Sequence, residues 1–131
     1  MDDKTLCMSA INAMNFSYSP YSECKVGAAL LSSSGKVYTG CNIENASFSP
    51  TVCAERTAFF KAISEGEREF VKIAVAGGED GIIDPGFTPC GVCRHVMAEF
   101  CRPDFRILIV SAENSFDEFS LAQLLPEAFK I

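Results

Sequence analysis

The sequence predicts an α/β fold in three layers, α/β/α, built around a mixed five-stranded sheet. Three observations support this prediction. In the first half of the chain, two neighbouring apolar segments joined by a short polar turn indicate a β-hairpin. In the second half, strand-like apolar segments alternate with helix-like ones, which implies parallel strand pairing. No repeat, low-complexity tract or linker interrupts residues 1–131, so we expect a single domain.

The first half supplies one helix and two strands. Apolar side chains lie near helical spacing over residues 3–14 and predict a first helix. Residues 18–22, with the sequence Tyr-Ser-Pro-Tyr-Ser, form a turn-rich break. Strands are predicted over residues 26–32 and 36–42, and the turn Ser33-Ser34-Gly35 joins them into the hairpin.

The second half alternates helices with strands. A helix over residues 51–65 is closed by Gly66, a residue suited to a helix C-terminus. Residues 77–89 are polar and rich in Gly and Pro, and they predict a loop. The other predicted elements are strands over residues 70–76, 106–111 and 116–119, and helices over residues 91–100 and 121–125.

Composition and charge narrow the classes of partner. The chain has 11 Lys and Arg against 17 Asp and Glu, a net charge of -6, and its basic residues are scattered. Proteins that wrap nucleic acid usually present a basic face to the phosphates, so we expect a small uncharged substrate and no nucleic-acid partner. The acidic start Met1-Asp2-Asp3-Lys4 and the lack of an apolar run of about 20 residues predict a cytoplasmic protein with no membrane partner.

Cysteine is unusually frequent. Seven cysteines, an odd number without a secretory leader, favour reduced thiols, some of them bound to metal, over a disulfide framework. Two segments are distinctive, Cys53-Ala54-Glu55-Arg56 and Pro89-Cys90-Gly91-Val92-Cys93. Each opens a predicted helix directly after a loop, and the third cysteine makes a metal site more plausible than a lone C-x-x-C pair would.

The spacing within these segments brings four groups towards one point. Cys90 and Cys93 fall on one side of a first helical turn, whereas Cys53 and Glu55 can converge only if Cys53 takes the first, partly non-helical position. Two positive helix ends then favour thiolates. Three thiolate ligands leave the fourth tetrahedral position of a zinc ion open to water, as in catalytic sites. Glu55 beside that water would serve as general base and then as general acid.

Two arginines follow the cysteines closely. Three thiolates around a divalent cation leave a net charge of about -1, which opposes the ionisation of water. Arg56 and Arg94 could offset this charge by donating hydrogen bonds to sulfur. The choice of Zn2+ over another metal rests on the softness of thiolate ligands and the tetrahedral count.

Taken together, these segments resemble the cytidine deaminases, whose zinc signature includes a three-cysteine variant with a non-ligand Glu. The segments Tyr18-Ser19-Pro20-Tyr21-Ser22, Val26-Gly27-Ala28-Ala29 and Gly40-Cys41-Asn42-Ile43-Glu44-Asn45-Ala46-Ser47 look like the family's N-terminal half. Leu124-Leu125-Pro126-Glu127-Ala128-Phe129 looks like its C-terminal end. The resemblance covers nearly the whole chain and implies zinc-dependent hydrolytic deamination of cytidine and deoxycytidine to uridine and deoxyuridine.

The resemblance also implies a role for each matching residue. The three cysteines would ligate Zn2+, water would attack C4 of the pyrimidine, and Glu55 would protonate N3 and help ammonia leave. Asn42 and Glu44 would hydrogen-bond the ribose hydroxyls, and the backbone around Ala54 would read the base edge. Phe129 would pack near the base of a neighbouring subunit, because short family members are usually homotetramers with shared active sites.

Three positions leave the substrate pocket less defined. Cys24 stands where the family usually has an aromatic side chain lining the pocket, and a thiol cannot stack on a pyrimidine. His95 stands where Gln is common. Phe48 precedes a loop and either faces the pocket or fills space.

Three alternatives to deamination of the ordinary nucleoside stay open. A deaminase of a modified cytosine nucleoside such as blasticidin S would share the zinc motif, and Cys24 is compatible with it. A nucleic-acid deaminase needs a groove for flanking nucleotides and a basic surface, which the net charge of -6 disfavours. A non-catalytic zinc module needs a fourth protein ligand, for which Cys101 and His95 are the nearby candidates, and it leaves Glu55 without a role.

Overall fold

The computed structural model describes residues 1–131 as one five-stranded sheet covered by helices on both faces. The strands are β1 (Cys24–Ser32), β2 (Val37–Cys41), β3 (Phe70–Glu79), β4 (Arg106–Ala112) and β5 (Ser115–Ser120). The helices are α1 (Asp3–Ala13), α2 (Ala54–Ser64), α3 (Gly91–Phe100) and α4 (Leu121–Leu124), and a 3-10 turn (Met14–Phe16) follows α1. None of these helices combines the length and the apolar character needed to cross a bilayer.

The strands lie in the order β2-β1-β3-β4-β5. The β3–β4 pair is parallel and the other three pairs are antiparallel. A chain that leaves β3 and returns parallel to it needs a crossover, and α3 supplies that crossover. The sheet is therefore mixed, as predicted.

Two apolar clusters, one on each face of the sheet, hold the helices in place. On one face, Leu6 and Ala10 of α1 pack among strand residues that include Ala29 and Leu108. On the other face, buried side chains of α2 and α3, including Phe59 and Met97, pack among the strands. The predicted three-layer α/β/α architecture is confirmed.

Two predicted boundaries need correction. Helix α2 begins at Ala54 rather than at residue 51, because Cys53 is its N-cap with extended backbone (φ -78°, ψ 156°) and Val52 bridges to Ile43. Strand β3 continues to Glu79, three residues beyond the prediction, because residues 77–79 pair with the start of β1. The prediction of a loop from residue 77 is wrong for this reason: Gly residues suggested a turn, but pairing with β1 keeps them extended.

Helix α2 approaches the sheet most closely at Gly40 of β2. A Cβ atom at Gly40 would lie 2.4 Å from the carbonyl oxygen of Ala54 and 2.6 Å from the amide nitrogen of Ala58. The helix backbone therefore rests on the strand at its first turn. This contact fixes the distance between the sheet and the segment that carries Cys53 and Glu55.

An ionic network fastens α1 to the sheet. Lys72 on β3 donates to Asp3 at 2.6 Å, and Arg106 on β4 donates to the other oxygen of Asp3 at 2.7 Å. Arg106 also pairs with Glu118 on β5. The side chain of Lys72 is only 7% exposed, so Asp3 supplies the anion that this buried ammonium group needs.

Candidate metal centre and substrate pocket

Three cysteine sulfurs meet at the N-terminal ends of two helices. Cys53 is the N-cap of α2, Cys90 is the N-cap of α3, and Cys93 lies in the first turn of α3. The Cys53 and Cys90 sulfurs are 3.7 Å apart, and the Cys90 and Cys93 sulfurs are 3.4 Å apart. All three sulfurs lie within 4.8 Å of one another. The requirement that Cys53 occupy the first, non-helical position is met.

This arrangement fits a tetrahedral zinc ion. With Zn–S bonds of about 2.3 Å, tetrahedral geometry places sulfur atoms about 3.8 Å apart, close to the spacing observed here. The group contains no fourth His, Cys, Asp or Glu. His95 instead lies edge-on against Phe129, with ring centroids 4.5 Å apart, and Cys101 is buried in an apolar cluster. The donor set therefore leaves one tetrahedral position for a non-protein ligand.

Charge around the sulfurs favours a thiolate at Cys53. Hydrogen bonding from the Cys93 thiol, together with the nearby Arg56 guanidinium, lowers the pKa of Cys53 to about 5 against the opposing effect of burial. The pKa of Cys93 is raised, because this thiol donates to Cys53 and is buried. Binding of a divalent cation would displace the proton of the Cys93 thiol.

Arg56 touches the site directly. Its Nη2 donates to the Cys53 sulfur at 3.2 Å, and its buried Nε has no hydrogen-bond partner within the chain. A guanidinium in this position places positive charge beside the thiolates. It is therefore suited to reduce the excess negative charge of a three-thiolate site.

Arg94 does not make the sulfur contact predicted from sequence. Its guanidinium donates to the Pro89 carbonyl oxygen at 2.7 Å, to the Leu124 carbonyl oxygen at 2.7 Å and to Thr88 Oγ1 at 3.1 Å. One residue beyond Cys93 is about 100° further around the helix, so the side chain leaves on a different side from the sulfurs. Arg94 instead ties the loop before Cys90 to the end of α4.

Glu55 is buried beside the sulfur group. The residue is 4% exposed and lines the same cavity as Cys53 and Cys90. Burial, with a smaller contribution from the negative Cys53, raises the pKa of the Glu55 carboxyl to about 7 in the metal-free chain. A group with a pKa near neutrality can both accept and return a proton at neutral pH.

The cavity has a volume of about 310 Å³, and its 12 lining residues combine site groups with apolar side chains. Of the residues predicted from sequence, it brings together Asn42, Glu44, Glu55, Cys53 and Cys90, with Cys24 in the wall.

The other predicted substrate contacts lie outside this cavity. Phe48 is 76% exposed and lines a neighbouring depression that shares Glu44 with the cavity. Phe129 is 66% exposed and is absent from the residues that line the cavity of its own chain. The side chain of Ala54 is buried beneath the site.

Asn42 and Glu44 are held rigidly by their own chain. Asn42 Oδ1 accepts from Ser17 Oγ at 2.5 Å and from the Val26 amide at 3.0 Å, while Nδ2 donates to the Cys24 carbonyl oxygen at 2.8 Å. These bonds leave one N–H of the Asn42 amide for a ligand.

Glu44 closes the turn that precedes β1. Its carboxylate accepts from the Ser22 hydroxyl and from the amides of Tyr21 and Ser22. The Ser22 hydroxyl is the main reason why the pKa of Glu44 is lowered, so this group stays ionised. An ionised carboxylate is an acceptor suited to a hydroxyl group.

Sequence reasoning assigned no role to six of the lining residues, Ser22, Val26, Thr51, Val52, Phe87 and Thr88. Phe87 and Thr88 belong to the loop after β3 and line the cavity. In sequence they lie in a polar segment without periodicity, so no pattern marked them. Their nearness to Cys90 in sequence could have identified them, because residues just before a metal ligand must lie near the metal site.

Comparison with known proteins agrees with this geometry. Residues 1–109 match the family described as cytidine and deoxycytidylate deaminase zinc-binding region. The chain belongs to the cytidine deaminase family. Members of this family are zinc-dependent hydrolases, and the three-sulfur group of this chain could hold a metal ion.

Relatives match nearly the full length of the chain. A cytidine deaminase from Sporosarcina psychrophila is 45% identical over 98% of this chain and 92% of the relative. One from Halalkalibacterium halodurans is 46% identical over 98% and 95%. The crystal structure of a cytidine deaminase from Burkholderia pseudomallei is 42% identical with a TM-score of 0.90, and covers 98% of this chain and 100% of that chain. A Mycobacterium tuberculosis cytidine deaminase is 35% identical with a TM-score of 0.82, covering 100% and 99%.

Proposed function

We propose that this chain hydrolyses cytidine and deoxycytidine to uridine and deoxyuridine, with Zn2+ held by Cys53, Cys90 and Cys93. The observation that carries the proposal is the position of buried Glu55 beside a three-sulfur group that lacks a fourth protein ligand. A purely structural zinc site would be closed by a fourth side chain and would gain nothing from a buried carboxylate at its open side. When bound, Zn2+ lowers the pKa of water and so makes it nucleophilic near neutral pH.

In this mechanism Glu55 moves the protons. It accepts a proton from the attacking water and delivers one to N3 of the pyrimidine as oxygen adds to C4. It then takes the remaining proton from the hydroxyl group on C4 and passes it to the exocyclic nitrogen. The C4–N bond breaks as the C4=O bond forms, and ammonia leaves, which gives the uracil ring. Each transfer needs a carboxyl group that both binds and releases protons, as the raised pKa of Glu55 supports.

Other residues position the nucleoside. The free N–H of Asn42 and the ionised carboxylate of Glu44 lie at the cavity wall, where they can hydrogen-bond ribose hydroxyls. The backbone around Ala54 would contact the base edge, and Arg56 would offset the negative charge of the thiolates. Phe48, in the adjoining depression, would cover the sugar side of the site.

A substrate panel tests the proposal. Purified zinc-loaded protein is incubated separately with cytidine, deoxycytidine, free cytosine, deoxycytidylate and blasticidin S, and loss of the cytosine absorbance and release of ammonia are followed. We expect turnover of the first two compounds, and loss of that turnover when a chelator strips the metal. Turnover of blasticidin S alone would replace the proposed substrate by a modified nucleoside. Inactivity on every compound despite bound zinc would refute the proposed reaction.

We further propose a homotetramer with active sites shared between subunits, located in the cytoplasm. Exposed large aromatic side chains support the assembly: Phe16 is 79% exposed, Phe48 76% and Phe129 66%. Light scattering of the purified protein would measure the mass. Mixing inactive Glu55→Gln protein with Phe129→Ala protein would restore activity if Phe129 acts in a neighbouring site, because some mixed sites would then carry both native residues. No recovery after subunit exchange would contradict shared sites.

A further inference from the structure

Phe87 is the single aromatic residue among the 12 that line the cavity containing Glu55. The other lining side chains are hydroxyls, thiols, an amide, carboxylates and two valines. A pyrimidine ring presents two flat apolar faces besides its polar edge, and binding sites for such rings cover these faces with aromatic or apolar side chains. Phe87 is half-buried, so part of its ring is available to a ligand.

The chain places this ring directly on the sheet. Strand β3 ends at Glu79. The loop after it folds back onto the strand, because the Asp84 amide donates to the Gly77 carbonyl oxygen at 2.8 Å and the Phe87 amide donates to the Asp84 carbonyl oxygen at 3.2 Å. A Cβ atom at Gly77 would lie 2.8 Å from Cδ1 of Phe87 and 3.1 Å from Cγ2 of Val26. Any larger residue at Gly77 would therefore push the Phe87 ring away.

Cys24 lines the same cavity as Phe87 and lies on the same face of the sheet as Val26. Val26 of β1 is paired with Gly77, and Cys24 is paired with Glu79. Since alternate residues of a strand share a face, Cys24 is the diagonal neighbour of Gly77, at a spacing of about 7–8 Å that aromatic side chains can bridge. One apolar wall of the cavity is thus formed by Phe87, Val26 and Cys24. The only aromatic ring in this wall is that of Phe87, which belongs to the loop after β3.

We propose that Phe87, seated on Gly77, is the side chain against which the pyrimidine ring packs, and that Cys24 leaves the space this ring needs. The proposal rests on the deaminase function and adds a residue that determines nucleoside affinity. Phe87 carries no group that can take part in the reaction. Its effect therefore falls on substrate binding and not on proton transfer.

The first experiment compares steady-state kinetics of Phe87→Ala and Phe87→Leu with those of the wild-type protein on cytidine. Loss of one stacking contact predicts a KM about tenfold higher for Phe87→Ala, with kcat changed less than threefold and zinc content unchanged. The inhibition constant of uridine should rise in parallel, because product binding uses the same wall. Phe87→Leu keeps most of the volume but not the ring, and it should raise KM by a smaller factor. If Phe87→Ala fails to fold, the KM of Phe87→Leu still tests whether the ring contributes to substrate binding.

A second pair of variants tests the geometry. Gly77→Ala keeps Phe87 in the chain but displaces its ring, and it should raise KM as Phe87→Ala does. Adding Cys24→Phe to Phe87→Ala places a ring at the diagonal position and should bring KM back towards the wild-type value. Cys24→Phe alone should raise KM, because two rings then compete for one space. The matched control is Phe116→Ala, which should leave KM unchanged. Phe116 is also a half-buried phenylalanine, but it packs against the apolar cluster on the opposite face of the sheet.

The outcomes separate this proposal from the deaminase function. Active wild-type protein whose KM stays within twofold in Phe87→Leu and Gly77→Ala would overturn the role of Phe87 and leave the deaminase function intact. Zinc-loaded wild-type protein that converts no cytidine would overturn both. A fall in kcat without a change in KM would also overturn the proposal, because it would place Phe87 in the chemical step.

Discussion

The close contact between Gly40 and α2 makes the proposed active site sensitive to one methyl group beneath it. In Gly40→Ala, the new Cβ would lie 2.4 Å from the Ala54 carbonyl oxygen and 2.6 Å from the Ala58 amide nitrogen. Both are backbone atoms, so rotation of a side chain cannot relieve the overlap. Restoring an ordinary separation of about 3.4 Å requires the first turn of α2 to rise by about 1 Å, and Cys53 and Glu55 would move with it.

The size of this shift determines the expected loss of stability and of activity in Gly40→Ala. Overpacking a close-packed interior costs about 1–3 kcal/mol of the free energy of unfolding. A misplacement of catalytic groups by about 1 Å costs roughly 100-fold in rate. We therefore expect kcat/KM for cytidine to fall about 100-fold in Gly40→Ala, with weaker zinc retention, while the protein remains folded.

The assay pairs urea denaturation with cytidine kinetics and a measurement of bound zinc. Gly91→Ala is the matched control, because it is also adjacent to a proposed ligand, Cys90, yet a Cβ there meets no atom within 4 Å. This control should keep wild-type activity. A Gly40→Ala protein with wild-type stability and kcat/KM within twofold of wild type would refute the conclusion that this contact fixes the distance between the sheet and α2.

Two further predictions concern charged groups. The pKa of Asp3 is lowered by its hydrogen bonds with Arg106 and Lys72, so its stabilisation is complete above the ordinary aspartate value of 3.8 and is lost as pH falls through the lower folded value. Asp3→Asn should therefore lower the free energy of unfolding at pH 7 by about 1–3 kcal/mol and flatten its decline below about pH 4, as measured by urea denaturation across pH. An unchanged pH profile would contradict this role. Arg56→Gln removes the donor to the Cys53 sulfur, and it should weaken zinc binding or lower turnover by about 10–100-fold in chelator competition and cytidine assays. Equal zinc affinity and equal activity would show that the guanidinium does not influence the metal centre.

The cysteine group was the part of the site most accessible from sequence, for a physical reason. Cys53, Cys90 and Cys93 lie within one turn of a helix start, where local geometry alone fixes the direction of each side chain. Glu55 is two residues from one of them, so its position followed once Cys53 was placed at the N-cap. The layers of the fold were predictable because strand and helix periodicities are also local.

The features that escaped prediction depend on contacts between distant segments. Strand β3 extends to Glu79 because β1 pairs with it, and this pairing overrides the turn preference of Gly77 and Gly78. The sequence position of Arg94 predicts a contact with sulfur, but its donors are satisfied by a loop carbonyl oxygen, the carbonyl oxygen of the last residue of α4 and a hydroxyl. Phe87 lies in a segment without periodicity, and only the fold of the loop brings it to the cavity.

We propose that Glu55 transfers protons at a zinc site formed by three cysteines, and a comparison of two proteins tests this role. Wild-type and Glu55→Gln proteins would be purified side by side, assayed for bound zinc and then for conversion of cytidine to uridine. We predict about one zinc ion per chain in both proteins and turnover about 10²–10⁴ times slower in Glu55→Gln, the range expected for loss of a general acid–base group. Glu55→Gln protein that binds zinc and deaminates cytidine within tenfold of the wild-type rate would show that Glu55 is not the proton-transfer group.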